Sequence, residues 1–112
     1  IGLAIKVHKA LGPGFMERIY EHALAYELSQ HGVPFVRQKS INVRYEGIDL
    51  GIQRVDFLVD GVVIVEVKSV SELNAIHEAQ MLSYLRTADK RVGLILNFAK
   101  VKLDVKRMVN RF

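Results

Sequence analysis

Cysteine is absent from the 112 residues. Its absence excludes disulfide frameworks, thiolate zinc sites and cysteine nucleophiles, and it points to a cytoplasmic protein. Long apolar runs are missing too. A membrane-spanning helix needs about 20 consecutive apolar residues, and stretches such as Gly61–Val65 are far shorter, so no membrane association is expected. No signal-peptide pattern is visible, and the chain opens at Ile1 in what reads as mid-helix. The histidines at 8, 22, 31 and 77 lack the clustered spacing that a zinc site needs. Repeats, low-complexity tracts and linkers are also lacking, so residues 1–112 read as one domain.

Half of the residues are hydrophobic and a quarter are charged. That balance supports a contiguous core and argues against wholesale disorder. The formal charge is +4, which suits a polyanionic partner. Lys6, Lys9, Arg18, Arg37, Lys39 and Arg54 could track phosphates, as could the basic tail from Lys100 to Arg111.

The hydrophobic periodicity divides the chain. Ile1–Leu11 has helical spacing and stops at Gly12-Pro13-Gly14. A second helix is predicted over 15–31, with Ile19, Tyr20, Ala23, Leu24 and Leu28 as its apolar stripe. After Pro34 the period falls to two. Ile41, Val43 and Tyr45 mark one strand, a turn begins at Glu46-Gly47 and closes by Gly51, and 52–59 form the next strand. Asp60-Gly61 signals a hairpin into a third strand over 62–68. A third helix over 75–88 buries Ala75, Ala79, Leu82 and Leu85. The nearly continuous apolar run Val92–Phe98 suits a central strand parallel to the third. The tail reads as a strand or a short helix. The expected fold is α/β: a mixed sheet of four strands, or five with the tail, flanked by helices.

Glu66 and Lys68 interrupt this pattern. They end an apolar strand and, two residues apart, point to one face of the sheet. Such charges cost several kcal/mol in order of magnitude unless they have partners. Alone they would read as an ion pair at a strand end. Asp56 changes that reading, because it lies on the preceding strand. Two carboxylates from adjacent strands offer hard oxygen ligands for Mg²⁺ or Mn²⁺, and a lysine beside them can orient water or neutralise developing charge.

The hairpin register decides whether these groups meet. A two-residue turn at Asp60-Gly61 would set Asp56 opposite Val65, on the wrong face. A three-residue loop, Val59-Asp60-Gly61, pairs Leu58 with Val62. Asp56 then stands opposite Ile64 and diagonal to Glu66, roughly 7–8 Å away. The three-residue loop, with Gly61 left-handed, or an equivalent bulge is therefore predicted.

Asp56 followed by Glu66-Val67-Lys68 resembles the D…E-x-K core of the PD-(D/E)XK nuclease superfamily, with Val55 where proline is usual. Gly14-Phe15-Met16-Glu17-Arg18-Ile19-Tyr20 is similar to the signature of its GxxExxY family. Val7-His8, Leu11–Gly14, Gln80–Leu85 and Leu96-Asn97-Phe98 resemble that family too, so the likeness covers nearly the whole chain. It implies a restriction-endonuclease-like core. It also implies a role for Glu17 as a further metal ligand or as an orienter of the site. Gln80 and Tyr84 resemble the Q-x-x-x-Y motif of RecB-like members, which holds the active site or contacts DNA. Without the resemblance, Glu17 would be a helix-start acid, Tyr84 a half-buried core residue and Gln80 a solvated one. His77 reads as a capping or surface residue.

The expectation is a Mg²⁺-dependent nuclease that hydrolyses DNA, with Asp56, Glu66 and Glu17 as metal ligands and Lys68, Gln80 and Tyr84 completing the site. The alternatives are a catalytically weak module of the same fold that binds nucleic acid, and a protein-interaction domain, including a homodimer.

Overall fold

The computed structural model describes residues 1–111. In chain order it contains α1 (Gly2–Leu11), α2 (Glu17–Gln30), β1 (Phe35–Tyr45), β2 (Ile48–Val59), β3 (Val63–Lys68), α3 (Ala75–Ala88), β4 (Val92–Asn97) and β5 (Asp104–Val109). The strands form one sheet in sequence order. β3 and β4 are parallel and joined by α3; the other neighbours are antiparallel. The tail is thus a fifth strand. No helix among the described residues is long and apolar enough to cross a membrane.

Two cores lie on the two faces of the sheet. On one face α1 and α2 cover Phe57, Val65, Val67, Leu96 and Phe98. On the other, α3 covers Ile41, Val55, Ile64 and Ile95. Tyr20, Phe57 and Phe98 are fully buried, and each such side chain contributes roughly 1.5–3 kcal/mol by leaving water.

The turn between β1 and β2 is Glu46-Gly47 alone, both with positive φ, and it pairs Tyr45 with Ile48. Both strands therefore run longer than their alternation suggested. Gly51 lies inside β2, opposite Val43 at a register shift, instead of closing the turn.

The buried stripe of α3 also differs from expectation. Ala75 and Ala79 are exposed, and Met81, Tyr84 and Leu85 face the sheet, with Leu82 half-buried. Gly93 supplies the reason. It lacks a side chain under the helix, and a Cβ there would stand 2.3 Å from the Met81 sulfur. Met81 fills that hollow and sets the rotation of α3. On α2 the stripe is Tyr20, Glu21, Leu24, Ala25 and Leu28, while Ile19 is exposed.

Candidate active site

The β2–β3 connection is a three-residue loop, but it consists of Asp60, Gly61 and Val62. Val59 pairs with Val63, and Leu58 with Ile64. Asp60 and Gly61 are both left-handed, with φ of 54° and 70°. Compared with the predicted register, β3 is displaced by two residues. A shift of two keeps every side chain on its face. It also aligns Phe57 with Val65 and Val59 with Val63, which puts all four against α1 and α2.

The β2–β3 ladder ends at Phe57 and Val65. One step further, Asp56 and Glu66 come directly opposite each other instead of diagonal, and side chains replace the backbone pairing. The Asp56 N–H donates to Glu66 Oε1 at 3.0 Å, and the Val67 N–H donates to Asp56 Oδ2 at 2.8 Å.

The strands part here because β1 and β2 change faces together. In a regular strand Val55 and Phe57 would share a face. Instead Phe57 packs under α1 and α2, and Val55 packs under α3. On β1, Phe35 and Ile41 divide in the same way. The pairings Arg37 with Phe57 and Lys39 with Val55 persist on either side of the break. Between them lie Gln38 and Asp56, and Gln38 has φ of 49°.

Glu66 is 6 % exposed. Burial, followed by the charge of Asp56, raises its pKa from an ordinary 4.5 to about 8. The Asp56 backbone N–H and the Lys68 ammonium oppose that rise. Lys68 ends β3 two residues on, half-buried. Tyr84 is buried on α3, close enough to feel both carboxylates. Burial, then Glu66 and Asp56, push its phenol up to about 12, so it remains a hydrogen-bond donor through the neutral range.

Glu17 and Tyr20 act on the chain around this site. The Tyr20 hydroxyl donates to the Gly12 carbonyl at 2.6 Å and accepts the Phe15 N–H at 3.1 Å, which closes the loop between α1 and α2. The ring stacks on Phe98 with centroids 4.5 Å apart. Glu17, exposed in the first turn of α2, accepts the Ser69 N–H at 3.1 Å, and Ser69 Oγ donates to the Phe15 carbonyl. The residue after Lys68 is thus tied to α2. Among the described residues, no three Asp, Glu or His side chains gather tightly enough to hold a metal. Asp56 and Glu66 come together, and Glu17 stands on the Ser69 amide.

Gln80 is exposed, and its backbone carbonyl accepts the Ser83 hydroxyl. His77 belongs to the start of α3: its Nδ1 accepts the Asn74 N–H, while Asn74 Oδ1 accepts the Ile76 N–H.

Three residues near the site were given no site role by the sequence reading, although Asn97 lies in one of the family-like blocks. Gln38 Nε2 donates to Glu21 Oε1 at 2.7 Å and to Asp56 Oδ1 at 3.3 Å. Asn97 is fully buried; its side chain binds the N–H and carbonyl of Val70 and the N–H of Ala99. It holds the segment that leaves Lys68. An Asn closing the apolar run of β4 was a visible signal for it, since a buried amide must find partners. Gln38 and Glu21 gave no such signal: Gln38 sits in the polar stretch Arg37–Ser40, and Glu21 is a charged residue outside the apolar stripe predicted for the second helix, so both read as solvated surface.

The donor chemistry at Asp56 and Glu66 fits a hard divalent cation. Mg²⁺ is commonly held by one or two carboxylates, with waters and substrate phosphate completing the shell. A buried carboxyl that retains its proton beside a second carboxylate is a place where positive charge is favoured.

The family model of the PD-(D/E)XK nuclease superfamily matches residues 1–108. No curated protein matches the chain. Among solved structures, the fold is similar to the crystal structure of SSO0001, with a TM-score of 0.67 at 15% identity, covering 85% of this chain and 50% of that one. It is also similar to an alkaline exonuclease, LHK-Exo, from Laribacter hongkongensis. There the TM-score is 0.61 at 13% identity, covering 84% of this chain and 56% of that one. The chain thus spans about half the length of either structure, and at these identities the likeness is one of fold. A family model matched over nearly all of the sequence, on a five-stranded mixed sheet of this kind, decides the classification: the chain belongs to the PD-(D/E)XK nuclease superfamily.

Proposed function

We propose that this protein is a divalent-metal-dependent nuclease that hydrolyses phosphodiester bonds in DNA by attack of water. The observation that carries the reading is the meeting of Asp56 and Glu66 where β2 leaves β3, each bonded to backbone across the gap. Asp56 and Glu66 would hold Mg²⁺ or Mn²⁺. When bound, the cation would polarise a phosphoryl oxygen and lower the pKa of a coordinated water.

The protein's own groups divide the remaining tasks. Lys68 lies on the face of Glu66 and supplies an ammonium that orients the attacking water and neutralises charge building on the phosphoryl oxygens. Glu66, held neutral by burial and by Asp56, would serve as a ligand in its deprotonated form, so that its proton would be released on loading. Tyr84 stays protonated and offers its hydroxyl beside the two carboxylates. Glu17 serves as the orienter of the site, fixing the Lys68–Ser69 end through the Ser69 amide. Gln80, exposed one turn before Tyr84, is available to contact the DNA.

A purified protein tests this directly. Calorimetric titration with Mn²⁺ should show uptake that Asp56→Ala removes. With Mg²⁺ or Mn²⁺, single- or double-stranded DNA should be cut, and Lys68→Ala should be slower by about 100-fold or more. No metal uptake and no cleavage of any form of DNA would leave only a nucleic-acid-binding or protein-binding module of this fold.

A further inference from the structure

Gln38 has a backbone conformation that few non-glycine residues adopt, with φ of 49°. No turn requires it there. The residue lies inside β1, and its neighbours Arg37 and Lys39 are both paired with β2. The left-handed step lets β1 cross from the core under α1 and α2 to the core under α3. It also aims the side chain at the site.

Both hydrogens of the Gln38 amide go to carboxylates: Glu21 Oε1 at 2.7 Å and Asp56 Oδ1 at 3.3 Å. Reversing the amide would turn its oxygen toward two carboxylate oxygens, so the chemistry fixes the orientation. Glu21 is itself held in place. It is 8 % exposed, and the Arg37 guanidinium lies 3.6 Å from the same Oε1. The other oxygen of Asp56 accepts the Val67 N–H. Asp56 is therefore gripped at both oxygens, by β3 on one side and by Gln38 on the other.

We propose that Gln38 and Glu21 are positioning residues, forming a Glu21–Gln38–Asp56 relay that sets the Asp56 carboxylate to receive the divalent cation. The proposal rests on the metal-site reading above. Partners of this kind that orient a ligand typically change metal affinity by about 10–100-fold when removed. The competing account is that Gln38 serves only the backbone, as the residue at which β1 changes faces.

Gln38→Gly separates the two, because glycine accepts positive φ freely but has no amide. The readouts are Mn²⁺ affinity by calorimetry and melting temperature of the metal-free protein, neither of which depends on cleavage. The relay predicts a variant that still melts cooperatively but binds Mn²⁺ about 10–100-fold more weakly. Glu21→Ala should weaken Mn²⁺ in the same direction. Glu21→Gln, which keeps an acceptor oxygen, should recover most of that loss. Should Gln38→Gly fail to fold, Gln38→Asn takes its place: asparagine tolerates the left-handed backbone and its shorter side chain retracts the amide. Wild-type affinity in the folded Gln38 variant would overturn the relay and leave a backbone role. Failure of the underlying reading looks different: wild type would take up no Mn²⁺, or Asp56→Ala would bind it unchanged, and the relay would fall with it.

Discussion

Asp56 and Glu66 stand opposite each other across two strands that have stopped pairing, and the Asp56 N–H is bonded to the Glu66 carboxyl at 3.0 Å. The backbone donor that would have continued the ladder is satisfied by a carboxyl oxygen instead. An opening in a sheet normally exposes unsatisfied groups; here the two acids fill it, and the site and the fold share the same hydrogen bonds.

The pH dependence of the metal-free protein should follow from Glu66. Below about pH 4.5 its carboxyl is protonated whether folded or not, and burial costs nothing through charge. Between 4.5 and 8 the unfolded chain releases that proton while the fold retains it. Stability should therefore fall as pH rises through this window, by at most about 1.4 kcal/mol per pH unit, and level off above 8. Urea unfolding at pH 5, 6.5 and 8 measures the slope, and Glu66→Gln should flatten it. Mn²⁺ added at pH 7 should release protons, readable as a dependence of the binding heat on the buffer's ionisation enthalpy.

Gly93→Ala should destabilise the protein by about 1–3 kcal/mol, the usual cost of overpacking. The new Cβ would meet the Met81 sulfur at 2.3 Å and Cγ at 2.9 Å, and Met81 is 1 % exposed. Because the clash is mutual, Met81→Ala should cost less in the Gly93→Ala background than in wild type. Equal costs in the two backgrounds would show that α3 rides elsewhere.

Tyr20→Phe should cost about 1–2 kcal/mol while keeping the stack on Phe98. It removes a hydroxyl that satisfies both the Gly12 carbonyl and the Phe15 N–H. Chemical denaturation measures the loss, and amide exchange at Phe15 should quicken more than exchange in the centre of α2.

Glu17→Ala should lower DNA cleavage about tenfold with less than about 1 kcal/mol of lost stability, as befits an exposed carboxylate. Glu17→Gln keeps an oxygen for the Ser69 amide and should restore most of the rate. A glutamine that is as slow as alanine would instead assign Glu17 to the metal, because an amide oxygen replaces an anionic ligand poorly.

The sequence by itself determined the local terms. Helical spacing located α1, α2 and α3, and the apolar run of β4 marked a central strand, since these periods are properties of a few consecutive residues. Alternation alone placed Glu66 and Lys68 on one face. Asp56 joined them only through a hairpin of odd loop length, and there the sequence indicated the parity without the register. A choice between Leu58–Val62 and Leu58–Ile64 pairing leaves every residue on its face, so no local pattern decides it. The contact of Phe57, Val59, Val63 and Val65 with two distant helices does. The stripe of α3 differs for a similar reason: Ala75 and Ala79 fit the helical spacing with Leu82, but the hollow at Gly93 admits Met81. Gln38 lay furthest from view. Its partners are 17 and 18 positions away, and its left-handed backbone is favoured only once two strands change faces together, which tertiary packing alone imposes.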